Sequence, residues 1–225
     1  MRKLFVTTLS LLLFFFTLPA KAENISEDDL GQVRTALKRA GVSQEVEDRL
    51  IAKLQAGEIW DSMTPGTEPR TVERSSGVIR EIYDDGSLVV TTMDDGELVD
   101  GGIATSLAAV SGCRGRSVIS SVKYSQCKVE QDSIFLVMGF YFDYSVPVKG
   151  TPVVTRAYGW YNRVLFGSSS NNHLERLSGN RAKYSAEISS AIGFSWGGAT
   201  VGATQTSEVY IMVIVDSHRP NIVVG

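Results

Sequence analysis

The chain has 225 residues, 43% of them hydrophobic and 21% charged, and its formal net charge at pH 7 is −3. This length is enough for one sizeable domain with a small appendage. An acidic chain lacks the basic surface on which nucleic-acid binding depends, so we expect no nucleic-acid partner.

Residues 1–22 have the pattern of a secretory signal peptide. A positively charged start precedes an apolar run over residues 4–18, and Ala20 and Ala22 place small side chains around a cleavage site. The run is shorter than the about 20 apolar residues that span a bilayer, and later apolar stretches are short and interrupted. Cleavage would change the net charge from −3 to −6, because it removes three cations and no acid. We therefore predict a secreted protein, extracellular or associated with the cell wall, with a mature chain that begins near Glu23 and has no transmembrane segment.

The two cysteines of the chain are Cys113 and Cys127, both in the predicted mature part. An even pair in an oxidising compartment predicts a disulfide. Closing a loop of about 15 residues would stabilise the fold by about 3 kcal/mol. A redox role is not favoured, because the spacing is not C-x-x-C and no histidine is adjacent.

Two amphipathic helices are predicted near the start of the mature chain. The first extends over 27–40, where a capping serine and three acids precede apolar positions three and four residues apart. The second begins after Ser43 and ends near Gly57, with acids in its first turn and an apolar stripe along one face. Together they predict a helical hairpin over 23–60.

A linker is predicted over 61–76, where Pro and Gly punctuate the segment DSMTPGTEPR without any periodicity. From residue 77 to 225 the pattern becomes strand-like, beginning with an Asp-Gly hairpin at 84–87. Segments rich in β-branched and aromatic residues predict strands over Val78–Tyr83, Leu88–Met93, Val118–Tyr124, Ile134–Val146, Val153–Phe166, Lys183–Trp196 and Val209–Asp216. With no helical pattern between them, they predict a mainly β fold, an antiparallel β-sandwich or open barrel behind the helical hairpin.

The segment Ser133–Val146 is rich in aromatic residues. It could be a buried strand of the core or an exposed surface that binds a ligand. Alternation places Phe140 and Phe142 on one face and Tyr141 and Asp143 on the other. Because most positions on both faces are apolar or aromatic, we predict that both faces are buried. We therefore predict a central strand with one face toward the sandwich core and the other under the helical hairpin.

The alternative is an exposed aromatic platform on the next strand. Tyr158 and Trp160 are two residues apart, with Tyr161 opposite, and exposed coplanar rings would suit stacking on sugar faces. We predict these three residues as candidate ligand-binding residues, for a cell-surface glycan or protein.

A membrane-active or pore-forming effector is a second functional class that the sequence permits. Apolar residues alternate with small polar ones between Ile188 and Val215, as in the membrane hairpins of pore-forming toxins. Period-two alternation is also what any half-buried strand shows, so two sandwich strands are the favoured interpretation.

Groupings of catalytic or metal-binding residues are sparse. The histidines are His173, in a polar stretch, and His218, beside Asp216 and Ser217, where strand neighbours point to opposite faces; a secreted hydrolase is a further alternative. Acids that could bind calcium are explained equally well as turn residues: Asp84, Asp85, Asp94, Asp95, Glu97 and Asp100. We predict a non-enzymatic protein without cofactor or metal.

One resemblance concerns the segment LQAGEIWDSM at 54–63, with its Gly-x-x-Trp-Asp-Ser motif. This segment, with the helical hairpin before it and the cysteine-containing β region after it, resembles uncharacterised secreted proteins of Gram-positive bacteria, especially actinobacteria. The resemblance implies secretion and this architecture, and it brings no activity, ligand or catalytic residue to carry over.

Overall fold

The computed structural model describes residues 25–75, 77–93, 97–98, 113–196, 199–201, 206–216 and 220–225. The predicted signal peptide, 1–22, lies outside these ranges. Two helices, α1 (Glu27–Arg39) and α2 (Gln44–Gln55), are followed by a 3-10 turn at Asp61–Met63. The strands of the described residues are β1 (Thr71–Ser75), β2 (Val78–Ile82), β3 (Leu88–Met93), β4 (Glu97–Leu98), β5 (Arg114–Val118), β6 (Ser121–Asp132), β7 (Leu136–Pro147), β8 (Val153–Val164), β9 (Gly167–Ser178), β10 (Arg181–Ser190), β11 (Phe194–Trp196), β12 (Ala199–Val201), β13 (Ser207–Ile214) and β14 (Asn221–Val224).

The helical hairpin is confirmed close to its predicted bounds. The side chain of Ser26 caps α1 by accepting a hydrogen bond of 3.2 Å from the backbone N–H of Asp29. Arg34 joins the two helices, donating to Glu47 at 2.7 Å and to Asp48 at 2.8 Å. Within the described residues, no helix combines the length and the apolar character needed to cross a bilayer.

The larger sheet is built around the long strands β6 and β7. One edge of β6 pairs with β3 near its end and with β5 near its start, and the other edge pairs with β7, which in turn pairs with β8. The strands β1, β2 and β3 form an antiparallel meander. β7 is therefore a central strand, as predicted.

A second sheet has the order β14–β13–β10–β9, and β11 pairs with β12 alone. Among the described strands, all pairings are antiparallel except the short β4–β5 pair. Side chains from both large sheets belong to one buried core, among them Phe140, Phe142, Tyr144, Tyr184, Ile211 and Val213. The mainly β, antiparallel and sandwich-like architecture behind a helical hairpin is thus confirmed.

The predicted disulfide is also present. Cys113, directly before β5, is bonded to Cys127 on β6. Both residues are buried. Cys127 follows an irregularity in the β6–β7 pairing, where Gln126 adopts a φ of 59°.

The helical hairpin packs against one end of the sandwich. The buried Trp60 ring lies 4.7 Å from the ring of Phe135, in the β6–β7 turn, and its indole N–H donates to the carbonyl of Leu50 at 2.8 Å. The prediction that the hairpin covers the outer face of β7 is wrong, because the side chain of Tyr141 on that face is 36% exposed. The turns at the sheet end, and not its flat face, offer the hairpin its apolar contacts.

Several strand bounds differ from the prediction. The predicted linker over 61–76 contains both the 3-10 turn and strand β1. The predicted strand Val118–Tyr124 includes the turn between β5 and β6, and the predicted strand Val153–Phe166 ends in the turn before β9. Strand β9 is absent from the prediction because its residues are mainly polar, and an edge strand held by backbone pairing to β10 needs no apolar alternation.

Candidate binding surface

The outer side of β7 and β8 carries three tyrosines, Tyr141, Tyr158 and Tyr161, which we call the tyrosine face. The pairing of β7 with β8 places Tyr141 directly opposite Tyr158. Strand alternation turns Phe140 and Phe142 into the core, so Tyr141 between them must point outward. The apolar run of β7 therefore supplies one large aromatic ring to the solvent side.

A β-bulge decides which aromatic residues of β8 share this face. Gly159 and Trp160 together lie opposite the single residue Phe140, and Gly159 adopts a φ of 60°, which suits glycine. The extra residue brings Tyr158 and Tyr161 to the same side of the strand. Their rings contact Tyr141, at centroid distances of 6.0 Å and 6.4 Å.

Trp160 points away from the tyrosine face. Its ring stacks on Tyr184 of β10, with 5.3 Å between centroids and 24° between planes. Tyr184 is fully buried, whereas 45% of Trp160 is exposed at the rim of the core. The predicted arrangement of Tyr158 and Trp160 on one face with Tyr161 opposite is therefore wrong, because the bulge shifts the alternation.

A glycine on β7 makes room for the third tyrosine. Gly139 pairs with Tyr161 across the strands, and a Cβ atom at Gly139 would lie 2.4 Å from the Tyr161 hydroxyl oxygen and 2.7 Å from the carbonyl oxygen of Val129. The phenol ring covers the backbone at this position, in the way that aromatic side chains cover glycines in sheets. Gly139 interrupts the aromatic run of β7 for this reason.

The hydroxyl of Tyr158 is tied to a carboxylate on β7. It donates to Asp143 at 3.3 Å, and Asp143 also accepts the backbone N–H of Gln126 at 2.8 Å. Burial, and then the charge of Asp143, raise the pKa of Tyr158, so the phenol stays protonated and donating at neutral pH. The guanidinium of Arg156 lies 3.9 Å from the centre of the Tyr158 ring and covers one of its faces.

The hydroxyl of Tyr161 is tied to a carboxylate on β6. It donates to Glu130 at 2.6 Å, and Lys128 forms an ion pair with Glu130 at 3.0 Å. The Lys128 ammonium also lies 5.6 Å from the centre of the Tyr161 ring. Tyr158 and Tyr161 thus each have a carboxylate acceptor at the hydroxyl and a cation over the ring. These contacts fix the ring orientations, and the charged groups offer hydrogen bonds to a polar ligand.

The predicted ligand-binding residues include two of the three tyrosines, Tyr158 and Tyr161, and none of the charged residues around them. Lys128, Glu130 and Asp143 lie at outward positions of β6 and β7, so alternation carried across the neighbouring strands could have found them. Arg156 could have been found in the same way, as the cross-strand partner of Asp143. The glycine in Tyr-Gly-Trp-Tyr is a known signal of a bulge.

The residues considered for a hydrolase do not come together as a site within the described residues. The exposed His173 lies 3.5 Å from Glu175, its neighbour on the same face of β9. Asp216 accepts a hydrogen bond from Asn180, and Ser217 and His218 lie outside the described residues. The hydrolase remains a prediction.

Two acids of the predicted calcium group lie in the β2–β3 turn. Asp85 is paired with Lys53 at 2.9 Å, and the exposed Asp84 lies 4.0 Å from Arg70. Asp94, Asp95 and Asp100 lie outside the described residues, as does the side chain of Glu97. Within the described ranges, no group of three or more histidines, cysteines or acids is arranged to hold a metal ion.

The segment predicted for a pore-forming alternative contributes to the core. Ile188, Phe194, Trp196 and Ile211 are all buried. Most of the loop between β11 and β13 lies outside the described residues. The membrane-active alternative stays a prediction, and its apolar side chains are already packed in this fold.

A cleft of about 760 Å³ lies between the β1–β3 meander and β14. Its described lining is mixed, with Ile79, Val89 and Ile222 beside hydroxyl and amide side chains, and Arg74 and Glu81 are its charged residues. The tyrosine face, where rings and charged groups are in direct contact, is the surface on which we base a function.

No protein-family model matches the chain, and no curated protein or solved structure matches it either. The functional assignment therefore depends on the geometry of the chain itself.

Proposed function

We propose that this chain is a secreted, non-enzymatic protein that binds an extracellular glycan through its tyrosine face. The observation that supports this most is the Tyr141–Tyr158 pair, whose rings are 23° from parallel and lie on the outer side of the sheet. The Tyr141 ring and the face of Tyr158 that Arg156 leaves uncovered offer an apolar surface on which sugar rings can stack. Tyrosine and arginine are also enriched at the energetic centres of protein–protein binding surfaces.

The polar groups around the rings suit hydroxyl-rich ligands. Asp143 and Glu130 are acceptors for sugar hydroxyls, and Arg156 and Lys128 are donors. All four are held in place by contacts with the tyrosines, so little side-chain freedom would be lost on binding. A glycan is favoured over a protein partner because a carboxylate and a cation accompany both Tyr158 and Tyr161, an arrangement that suits a hydroxyl-rich ligand.

Secretion is supported by two features of the chain. The pattern over 1–22 is that of a signal peptide, and the Cys113–Cys127 disulfide is of a kind that persists in oxidising compartments. The resemblance of residues 54–63 to secreted proteins of Gram-positive bacteria points to the cell wall as the source of the glycan.

A pull-down of the exported protein on insoluble cell-wall glycans tests this proposal. We expect retention that Tyr158→Ala removes and that Trp160→Ala, on the opposite side of the same strand, preserves. Circular dichroism of both variants controls for folding. Retention of the Tyr158→Ala variant at the wild-type level would overturn the assignment of this face.

A further inference from the structure

At the end of the sandwich opposite the helical hairpin, two neighbouring turns expose aliphatic side chains. Ile119, in the β5–β6 turn, is fully exposed, and Val148, in the β7–β8 loop, is 75% exposed. The turns are held side by side, because the backbone N–H of Val148 donates to the carbonyl of Ser120 at 2.9 Å. Tight turns favour Gly, Asn, Asp and Ser, so β-branched aliphatics at both tips are not explained by turn formation.

The same turns are rich in cations and contain no acids. The segments 114–125 and 145–154 carry four Lys and Arg residues and no Asp or Glu, in a chain whose net charge is −3. Arg116 and Lys123 are direct cross-strand partners, and Lys149 follows Val148; all three are exposed. We call Ile119 and Val148, with Arg116, Lys123 and Lys149, the apolar-basic tip.

The Arg116–Lys123 pair favours an anionic partner. Like charges directly opposite each other in an antiparallel pair destabilise the sheet. Neither residue has an ion-pair partner in the described part of the chain. An anionic group between the two cations would remove this repulsion.

A third turn at this end, between β9 and β10, contributes little negative charge near the apolar-basic tip. The backbone N–H of Val154 donates to the carbonyl of Gly179, which brings the β9–β10 turn beside the β7–β8 loop. The nearby carboxylate of Asp216 accepts a hydrogen bond from Asn180 at 2.9 Å, and Arg181 follows in the sequence.

We propose that the apolar-basic tip docks the protein on the surface of an anionic phospholipid membrane. Ile119 and Val148 would enter the boundary between head groups and acyl chains, and the three cations would contact lipid phosphates. Anionic membranes match this surface in both respects, because they combine negative charge with an apolar layer just beneath it. This site is separate from the tyrosine face, so a glycan and a membrane can be bound together.

Sedimentation with vesicles tests the proposal, with exported protein whose N terminus near Glu23 has been verified by mass spectrometry. The probes are phosphatidylcholine vesicles and phosphatidylcholine vesicles with about one third phosphatidylglycerol. We expect binding to the anionic vesicles that is about tenfold stronger than to the neutral ones and that weakens at high salt. The double variant Ile119→Ser with Val148→Ser should lose about tenfold in binding.

Two control variants make the result specific. Ile59→Ser removes an exposed aliphatic side chain from the helical end, and Tyr158→Ala alters the tyrosine face; both should bind vesicles like the wild type. Circular dichroism verifies that each variant is folded. The proposal is overturned if the folded wild type does not bind anionic vesicles, or if the double variant binds them as well as the wild type. It is also overturned if the double variant loses binding to intact cells but not to vesicles, which would indicate a protein partner.

Discussion

Asp61 and Asp85 exchange hydrogen bonds across 24 residues of chain. The backbone N–H of Asp61 donates to the Asp85 carboxylate at 3.0 Å, and the backbone N–H of Asp85 donates to the Asp61 carboxylate at 3.1 Å. Lys53 of α2 lies 2.9 Å from Asp85 and 3.3 Å from Asp61. This clasp joins the helical hairpin, the 3-10 turn and the β2–β3 turn in one place.

The clasp predicts a pH-dependent stability. Burial opposes ionisation of Asp85, but hydrogen bonds from Ser87, Asp61 and Lys53 outweigh it and lower the pKa of the carboxyl. A carboxyl with a folded pKa below the unfolded one stabilises the fold above about pH 4 and loses this contribution as the pH falls through the folded pKa. Asp85→Asn should therefore lower the free energy of unfolding by about 1–3 kcal/mol at neutral pH and reduce its decline in acid.

Urea unfolding at several pH values measures both effects. Asp84→Asn is the matched control, because Asp84 is exposed on the same turn and should change stability by less than about 0.5 kcal/mol. Equal pH profiles for wild type and Asp85→Asn would show that the clasp does not contribute to acid sensitivity.

Trp60 connects the helical hairpin with the β core. Its buried ring contacts Phe135, and its N–H donates to Leu50 of α2. Trp60→Ala should cost about 3–5 kcal/mol of unfolding free energy, because it opens a cavity at this junction. Trp160→Ala should cost only about 1 kcal/mol, since it removes a half-exposed stacking contact.

Chemical denaturation followed by circular dichroism compares the two tryptophan variants. If both substitutions cost the same, or if Trp60→Ala leaves the helical signal and the midpoint unchanged, the helical hairpin is not part of the common core.

Gly139→Ala should destabilise the sheet and displace Tyr161. The added Cβ would approach the Tyr161 hydroxyl and the backbone of Val129 too closely for either to stay in place. We expect a loss of about 1–3 kcal/mol in unfolding free energy and weaker glycan binding. Gly31→Ala is the control, because a Cβ there meets nothing within 4 Å and alanine should stabilise α1 by about 1 kcal/mol.

Thermal and urea unfolding of the two glycine variants provide the measurement. A Gly139→Ala protein with wild-type stability and wild-type glycan binding would contradict the role that we assign to this glycine.

Much of the fold could be predicted from the sequence, because helix caps and apolar periodicity are local signals. α1 and α2 begin and end within a few residues of the predicted bounds, and the long apolar run of β7 is paired on both edges as expected, although its outer face carries the exposed Tyr141. Strand β9 could not be found in this way, since its side chains are largely polar and its pairing is made by backbone groups.

The candidate surface could be predicted only in part. Tyr158 and Tyr161 were identified by residue type, but their common orientation depends on the bulge at Gly159, which a strict period of two does not describe. The position of the helical hairpin at the sheet end depends on long-range contacts such as Trp60 with Phe135. These contacts leave no periodic signal in the chain.

The central claim is that the tyrosine face binds a glycan, and calorimetric titration tests it most directly. Soluble fragments of the glycan that retains the protein would be titrated into wild type, Tyr158→Ala and Trp160→Ala. We predict that Tyr158→Ala weakens binding about tenfold or more, equivalent to about 1.4 kcal/mol, while Trp160→Ala stays within about twofold of the wild type. Wild-type affinity in Tyr158→Ala together with a loss in Trp160→Ala would place the ligand on the other side of the strand and contradict the account.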